Sequence, residues 1–115
     1  MNSIDFVKEV RKVVLEDNLT IYKDLFENSE LSTVTDNYWK EALIFFHKLD
    51  ADSKKIFFEI LRQIEVDTIS NIFGVLDGVS WLEGQQENFK LVTENSTEAI
   101  NGELQDRFLE LEENN

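Results

Sequence analysis

Carboxylates are the most abundant side chains in this sequence that could take part in chemistry. The chain has 115 residues, of which 24 are Asp or Glu and 11 are Lys or Arg. Two groups stand out by position: Glu103, Asp106 and Glu110 recur at i, i+3 and i+7, and Asp67, Asp77, Glu83 and Glu87 lie in the stretch before them. Oxygen ligands of this kind suit Mg²⁺ or Ca²⁺. A solvated acidic face is the simpler explanation in so acidic a chain, and we assign no metal site.

Other catalytic groups are scarce. The chain has no Cys, which excludes a disulfide framework, a thiolate metal site and a cysteine nucleophile. His47 is the single histidine, and no serine at a sharp turn completes a nucleophilic set with it. The sequence contains neither of the glycine-rich phosphate-binding motifs, G-x-x-x-x-G-K-S/T and G-x-G-x-x-G. Residues 77–80 lack the remaining acidic positions of an EF-hand calcium-binding loop. We therefore predict that the protein is not an enzyme and needs no cofactor.

Four aromatic residues fall outside the apolar stripes of the predicted helices. Tyr38 and Phe45 are seven residues apart and share a helix face, Phe58 lies among charged residues, and Trp81 follows a glycine. One interpretation is that neighbouring elements bury them. The other is that they form a contact patch of the kind that anchors protein interfaces.

Charge is distributed unevenly along the chain. The net charge is −13, and residues 58–115 account for −10 of it, with 13 acidic and 3 basic side chains. This polarity favours a basic protein partner and argues against nucleic acid, whose phosphates are bound by Lys and Arg. The longest apolar run, residues 42–46, is too short to span a membrane, and no secretion signal precedes it. We expect a cytoplasmic protein that binds neither membrane nor nucleic acid.

Helical periodicity dominates the first two-thirds of the chain. Ser3 is predicted to cap a first helix that runs to about Asp17, with an apolar face of Phe6, Val7, Val10, Val13 and Val14. A short second helix over about 20–28 has Tyr22, Leu25 and Phe26 on its apolar face. A third helix should begin at Thr35 or Asp36 and end near Leu49, with an apolar stripe of Trp39, Ala42, Leu43, Phe46 and Leu49. A fourth should begin at 50–53 with an apolar stripe of Ile56, Phe57, Ile60, Leu61 and Ile64. Asp67 caps a fifth helix, unless the fourth and fifth form one long helix bent around Val66.

The remainder of the chain changes character. Residues 89–93 alternate in the manner of a strand, 94–98 form a polar turn, and 99–102 suit a return strand. Asn101 could then cap a short final helix. The predicted fold class is therefore mainly α (α+β): a compact domain of four to six helices with a small C-terminal β-hairpin. We expect a single domain over 1–115, with a helical part at 1–77 and an acidic loop, hairpin and final helix at 78–115.

The C-terminal half resembles a group of small acidic bacterial proteins of unassigned function. The resemblance rests on the residues of 66–78, 89–91 and 101–110, and supplies no catalytic residues. In size and acidity the chain is also similar to bacterial immunity proteins, which neutralise basic toxins by binding them. That second likeness is compositional only.

These observations lead to one main hypothesis and two alternatives. The main hypothesis is a non-enzymatic acidic interaction module, in its most specific form an immunity- or antitoxin-like inhibitor of a basic protein partner. The first alternative is a structural protein that self-associates, for example as a homodimer, through its apolar patch. The second is a divalent-metal site built from carboxylates.

Overall fold

The structure is a computed structural model that describes residues 1–114, and it is helical. Helix α1 runs without a break through three segments, and three more helices and one 3₁₀ turn follow. The segments of α1 are Ser3–Val10, a π-helical stretch Arg11–Glu16, and Asp17–Asn28; the 3₁₀ turn is Leu31–Thr33, α2 is Asn37–His47, α3 is Ala51–Leu76 and α4 is Leu104–Glu113. Among the described residues, no helix is long and apolar enough to cross a membrane.

Short polar side chains fix where the first three helices begin. Asp36 and Asp50 each accept the backbone N–H three residues later, at 3.0 and 2.8 Å, so the predicted starts of α2 and α3 are confirmed. Helix α1 begins one residue earlier than predicted. Asn2, rather than Ser3, accepts the corresponding N–H at 2.8 Å.

The π-helical stretch of α1 changes which residues face inward. We predicted two helices here, with Val13 and Val14 on the buried face of the first. Both valines are about half exposed, and Leu15 is fully buried instead. A π turn accommodates one extra residue, so the inward face moves from position 14 to position 15 while the helix continues to Asn28.

Helix α3 is one long helix rather than two. Val66, where a break was considered, is buried inside it. Asp67 does not cap a new helix, because its carboxylate accepts a hydrogen bond from the side-chain amide of Gln63 at 2.9 Å. Of the two alternatives for this region, the single helix is correct.

The predicted apolar stripe at the start of α3 is only partly buried. Phe57 and Leu61 pack against a core, as predicted. Ile56, Ile60 and Ile64 are more than half exposed, so their assignment to the buried face was wrong.

Helices α1 and α3 run antiparallel and are shared by two separate hydrophobic cores. Near one end the rings of Phe6 and Phe73 lie 6.2 Å apart, and near the other those of Phe26 and Phe57 lie 5.0 Å apart. The first core is completed by α4 and the second by α2. The buried residues of the first are Val7, Leu15, Val66, Ile69, Phe73, Leu104 and Phe108, and those of the second are Phe26, Leu43 and Phe46.

The two-core arrangement makes the molecule elongated. Its extents are 52 × 33 × 27 Å and its radius of gyration is 18.0 Å. A compact domain of this length would have a radius of gyration of about 13 Å. The expectation of a compact shape was therefore wrong, because α2 and α4 pack at opposite ends of the long helices.

The predicted C-terminal β-hairpin is not present. No strand occurs in residues 1–114, and the segment joining α3 to α4 is irregular. One backbone hydrogen bond of the predicted pair forms, from the N–H of Ile100 to the carbonyl of Leu91 at 2.8 Å. The alternating pattern arises because Leu91 and Ile100 pack against the first core, which requires no ladder.

The side chain of Asn101 takes the place of the missing ladder. Its Oδ1 accepts the N–H of Leu91 at 2.8 Å, and its Nδ2 donates to the carbonyl of Phe89 at 2.9 Å. The same Nδ2 donates to the carbonyl of Leu76, at the end of α3. One amide group thus ties both sides of the connecting segment to the long helix.

Asp77 caps α4 from a distance. Its carboxylate oxygens accept the N–H groups of Gly102 at 2.7 Å and of Gln105 at 2.8 Å. Glu103, which immediately precedes the helix, makes no capping hydrogen bond. The prediction that Asn101 caps this helix was wrong, because its side chain is held by the connecting segment.

An ionic cluster joins three helices between the two cores. Arg11 and Glu16 of α1, Arg62 of α3 and Glu112 of α4 form it, with nitrogen–oxygen distances of 2.9–3.4 Å. The hydrogen bond from Arg62 lowers the pKa of Glu16, and burial only partly opposes this effect. The cluster gives the middle of the molecule a polar, charge-paired contact in place of a third core.

Candidate functional site

The structure brings together two of the four predicted aromatic contact residues. Tyr38 and Phe45 lie on one side of α2 and are 72% and 55% exposed. Phe58 is half-buried on a different side of α3, and Trp81 is half-exposed in the segment after α3. About 28 Å of α3 separates position 57 from its C-terminal end, so Trp81 belongs to the opposite end of the molecule.

Tyr38 and Phe45 border a concavity that we call the aromatic recess. It lies where α1, α2 and α3 meet and has a volume of about 300 Å³, at the lower limit for small-molecule pockets and suited to one or two side chains. Its lining residues are Tyr22, Phe26, Tyr38, Trp39, Ala42, Phe45, Phe57 and Leu61.

The rings of the recess hold one another in place. Trp39 lies 5.9 Å from Tyr38 and 6.0 Å from Tyr22, and Phe45 lies 6.2 Å from Phe57, measured between ring centroids. Such tilted and edge-to-face contacts are favourable for aromatic pairs. Because Trp39 and Phe57 also contact buried Phe26, the exposed rings rest on a fixed base.

A larger groove lies between α1 and α3, outside the recess. Its volume is about 630 Å³, and Phe58 lies in it with the Lys23 ammonium 6.0 Å from the ring centroid. Basic and acidic side chains alternate around it: Lys23, Lys54, Lys55 and Arg62 against Glu16, Glu27 and Glu59. The groove therefore presents no single sign of charge that would select a ligand.

Several of the predicted acidic residues have intramolecular partners. Asp77 caps α4, Glu103 pairs with Arg107 at 2.8 Å, and Asp67 accepts from Gln63. The other predicted carboxylates are exposed, namely Glu83, Glu87, Asp106 and Glu110. Residues 77–114, which we call the acidic lobe, carry ten carboxylates against Lys90 and Arg107.

The acidic residues do not gather into a metal-ligating group in the part of the chain that the structure describes. Nowhere in residues 1–114 do three His, Asp or Glu side chains come close enough to hold a metal ion. His47 is exposed at the end of α2, and its ring packs against that of Phe46 at 5.7 Å.

No family model, curated protein or solved structure matches this chain. A function must therefore be inferred from the surface of the molecule itself. The recess combines a concave shape, exposed aromatic rings and a fixed base, which neither the larger groove nor the acidic lobe does.

Of the eight residues that line the recess, only Tyr38 and Phe45 were predicted as contact residues. Trp39 and Phe57 were assigned to buried stripes, but both are only half-buried and line the recess. Tyr22, expected on the apolar face of the second helix, is 37% exposed at the recess. The sequence contained one usable signal, since Tyr22 and Phe26 are four residues apart on α1. Their contact with α2 could not be foreseen, because it depends on how three helices pack.

Proposed function

We propose that this chain is a non-enzymatic protein-binding module whose aromatic recess receives apolar side chains of a partner. The observation that carries the proposal is the exposure of Tyr38 and Phe45 beside a recess whose other rings are packed. Aromatic anchors at the centre of an interface contribute most of its binding energy. Anchors that are already ordered lose little conformational entropy on binding.

The charge of the acidic lobe supports a basic partner. Most of its ten carboxylates lie toward one end of a molecule 52 Å long, while Glu112 is paired in the ionic cluster at the middle, so the field has a direction. Complementary charge raises the rate of association, and this attraction weakens as salt is added. The acidic lobe would attract the partner, and the recess would hold it.

In its most specific form, the proposal is an immunity- or antitoxin-like inhibitor of a basic protein such as a nuclease. Its mechanism would be occlusion: the acidic carboxylates would meet Lys and Arg that the partner otherwise uses for its substrate. The support for this form is the charge distribution and the small size of the chain.

The proposal is tested by affinity capture with variants that alter only the recess. The wild-type chain, the double variant Tyr38→Ser/Phe45→Ser and the control Ile44→Ser are immobilised in parallel. Ile44 is 42% exposed on the same helix and does not line the recess. Captured proteins are identified by mass spectrometry, and the affinity of the purified partner is then measured by calorimetry at two salt concentrations.

The expected partner is a basic protein that binds the wild-type chain and the Ile44→Ser control but not the double variant. Its affinity should fall as salt is added. If the double variant binds as tightly as the control, or if affinity is indifferent to salt, the proposal is wrong.

A further inference from the structure

Three isoleucines form an exposed ridge on the outer side of α3. Ile56, Ile60 and Ile64 are 55%, 53% and 57% exposed and follow one another at intervals of four residues, over about 12 Å of helix. Side chains spaced four residues apart form the ridges with which helices pack against each other. The opposite side of α3 faces α1 and α2, so this helix is apolar on two sides and only one of them is covered.

The residues that flank this isoleucine ridge are acidic or uncharged. On a helix, the neighbours of a side chain are three and four positions away. Among the neighbours of the three isoleucines, the charged ones are Asp52, Glu59 and Asp67. No Lys or Arg of α3 occupies any of these positions, so the charged residues of α3 that border the ridge are all acidic.

The isoleucine ridge is also continuous with the aromatic recess. Phe57 and Leu61 are next-turn neighbours of Ile60 and Ile64, and both line the recess. A partner seated in the recess would therefore reach the ridge without crossing a polar barrier.

We propose that the isoleucine ridge docks an amphipathic, basic helix of the partner protein, an inference that rests on the proposed function. Apolar side chains of such a helix would lie between the isoleucines, and its Lys or Arg residues would face Asp52, Glu59 and Asp67. A second copy of this chain fits less well, because two-fold packing of the ridge brings the acidic borders of two copies together in a protein of net charge −13.

A synthetic peptide tests the inference without the natural partner. The probe is a fluorescein-labelled 18-residue peptide of leucine and lysine, with its leucines on one helix face. The control peptide has the same composition in a scrambled order that forms no apolar face. Binding is measured by fluorescence anisotropy against the wild-type chain, the variant Ile60→Ser/Ile64→Ser and the control Ile21→Ser, which changes an isoleucine that is 56% exposed on α1.

The amphipathic peptide should bind the wild-type chain and the Ile21→Ser control alike, and the ridge variant about tenfold or more weakly. Circular dichroism confirms that each variant is folded. Equal binding of the scrambled peptide would mean that charge alone attracts the probe, and equal binding by the ridge and control variants would mean that the isoleucines are not involved. Either result overturns the inference.

Two further results separate this inference from the proposed function. If the captured partner is lost by the recess variant but kept by the ridge variant, the recess binds the partner and the docking of a helix on the ridge is wrong. If the protein alone sediments as a dimer and Ile60→Ser/Ile64→Ser makes it a monomer, the ridge is occupied by a second copy, which also overturns the inference.

Discussion

Replacing Asn101 with Asp tests whether one side chain holds the segment between α3 and α4. The substitution keeps the shape of the side chain and the acceptor for the N–H of Leu91. It removes both donated hydrogen bonds, to the carbonyls of Phe89 and Leu76, and places a negative charge against those two oxygens. The effect should therefore be large for a change of one atom.

The expected loss follows from the number of hydrogen bonds. Each contributes about 0.5–1.5 kcal/mol, and leaving a partly buried carbonyl unpaired adds to the loss, so we expect Asn101→Asp to lower the free energy of unfolding by about 2–3 kcal/mol. The difference from wild type should narrow as the pH falls toward the ordinary Asp pKa of about 3.9, because the two carbonyl oxygens favour the protonated carboxyl group, which donates one hydrogen bond again.

Urea unfolding followed by tryptophan fluorescence measures this effect. Trp81 lies in the connecting segment and Trp39 lies at the other end of the molecule, so single-tryptophan backgrounds show which end responds. Asn95→Asp is the matched control, since it adds the same charge at an exposed position of the same segment. If the two variants differ in stability by less than about 0.5 kcal/mol, which is usual for surface changes, the role assigned to Asn101 is refuted.

Three further predictions concern capping, pH dependence and the second core. Asp77→Ala should lower the free energy of unfolding in urea by about 1–2 kcal/mol, and an unchanged value would mean that α4 does not depend on this distant cap. Because Arg62 lowers the pKa of Glu16, their pair stabilises the fold fully above the ordinary pKa of 4.5, and this contribution is lost as the pH falls through the lowered pKa. On acidification, the melting temperature of Arg62→Gln should therefore fall less than that of the wild type, and an equal fall would contradict this role of the pair. Phe46→Ala should lower the free energy of unfolding in urea by about 3–5 kcal/mol, because the Phe46 ring is fully buried. Phe45→Ala should lower it by about 1 kcal/mol or less, because the Phe45 ring is 55% exposed. A larger loss in Phe45→Ala than in Phe46→Ala would show that Phe45 is the core residue of the two.

Helix starts were predictable from the sequence where a cap acts locally. Asp36 and Asp50 each bond to an N–H only three residues away, so the signal is contained in four consecutive residues. The capping of α4 by Asp77 joins groups more than twenty residues apart, and no local pattern contains it. The same is true of Asn101, whose contacts replaced the predicted hairpin.

Periodicity indicates which residues share a helix face, but not which face is covered. Ile56, Ile60 and Ile64 are on one side of α3 as expected, yet that side is exposed because α2 and α4 pack elsewhere. In α1 the period itself changes at the π-helical stretch, which exposes Val14 and buries Leu15. Tyr38 and Phe45 were identified as candidate contact residues because they fit no buried stripe, and the structure places both at the recess.

The shared long helices have a consequence for how the protein unfolds. Since α1 and α3 run through both cores, neither end can be excised as an independent folding unit. Local unfolding that begins at α2 or α4 can extend along α1 and α3 only as far as the ionic cluster. Beyond that point it disrupts the opposite core as well. Amide hydrogens at the two ends should therefore exchange through separate local openings, whereas those near Arg62 exchange only when the whole chain unfolds.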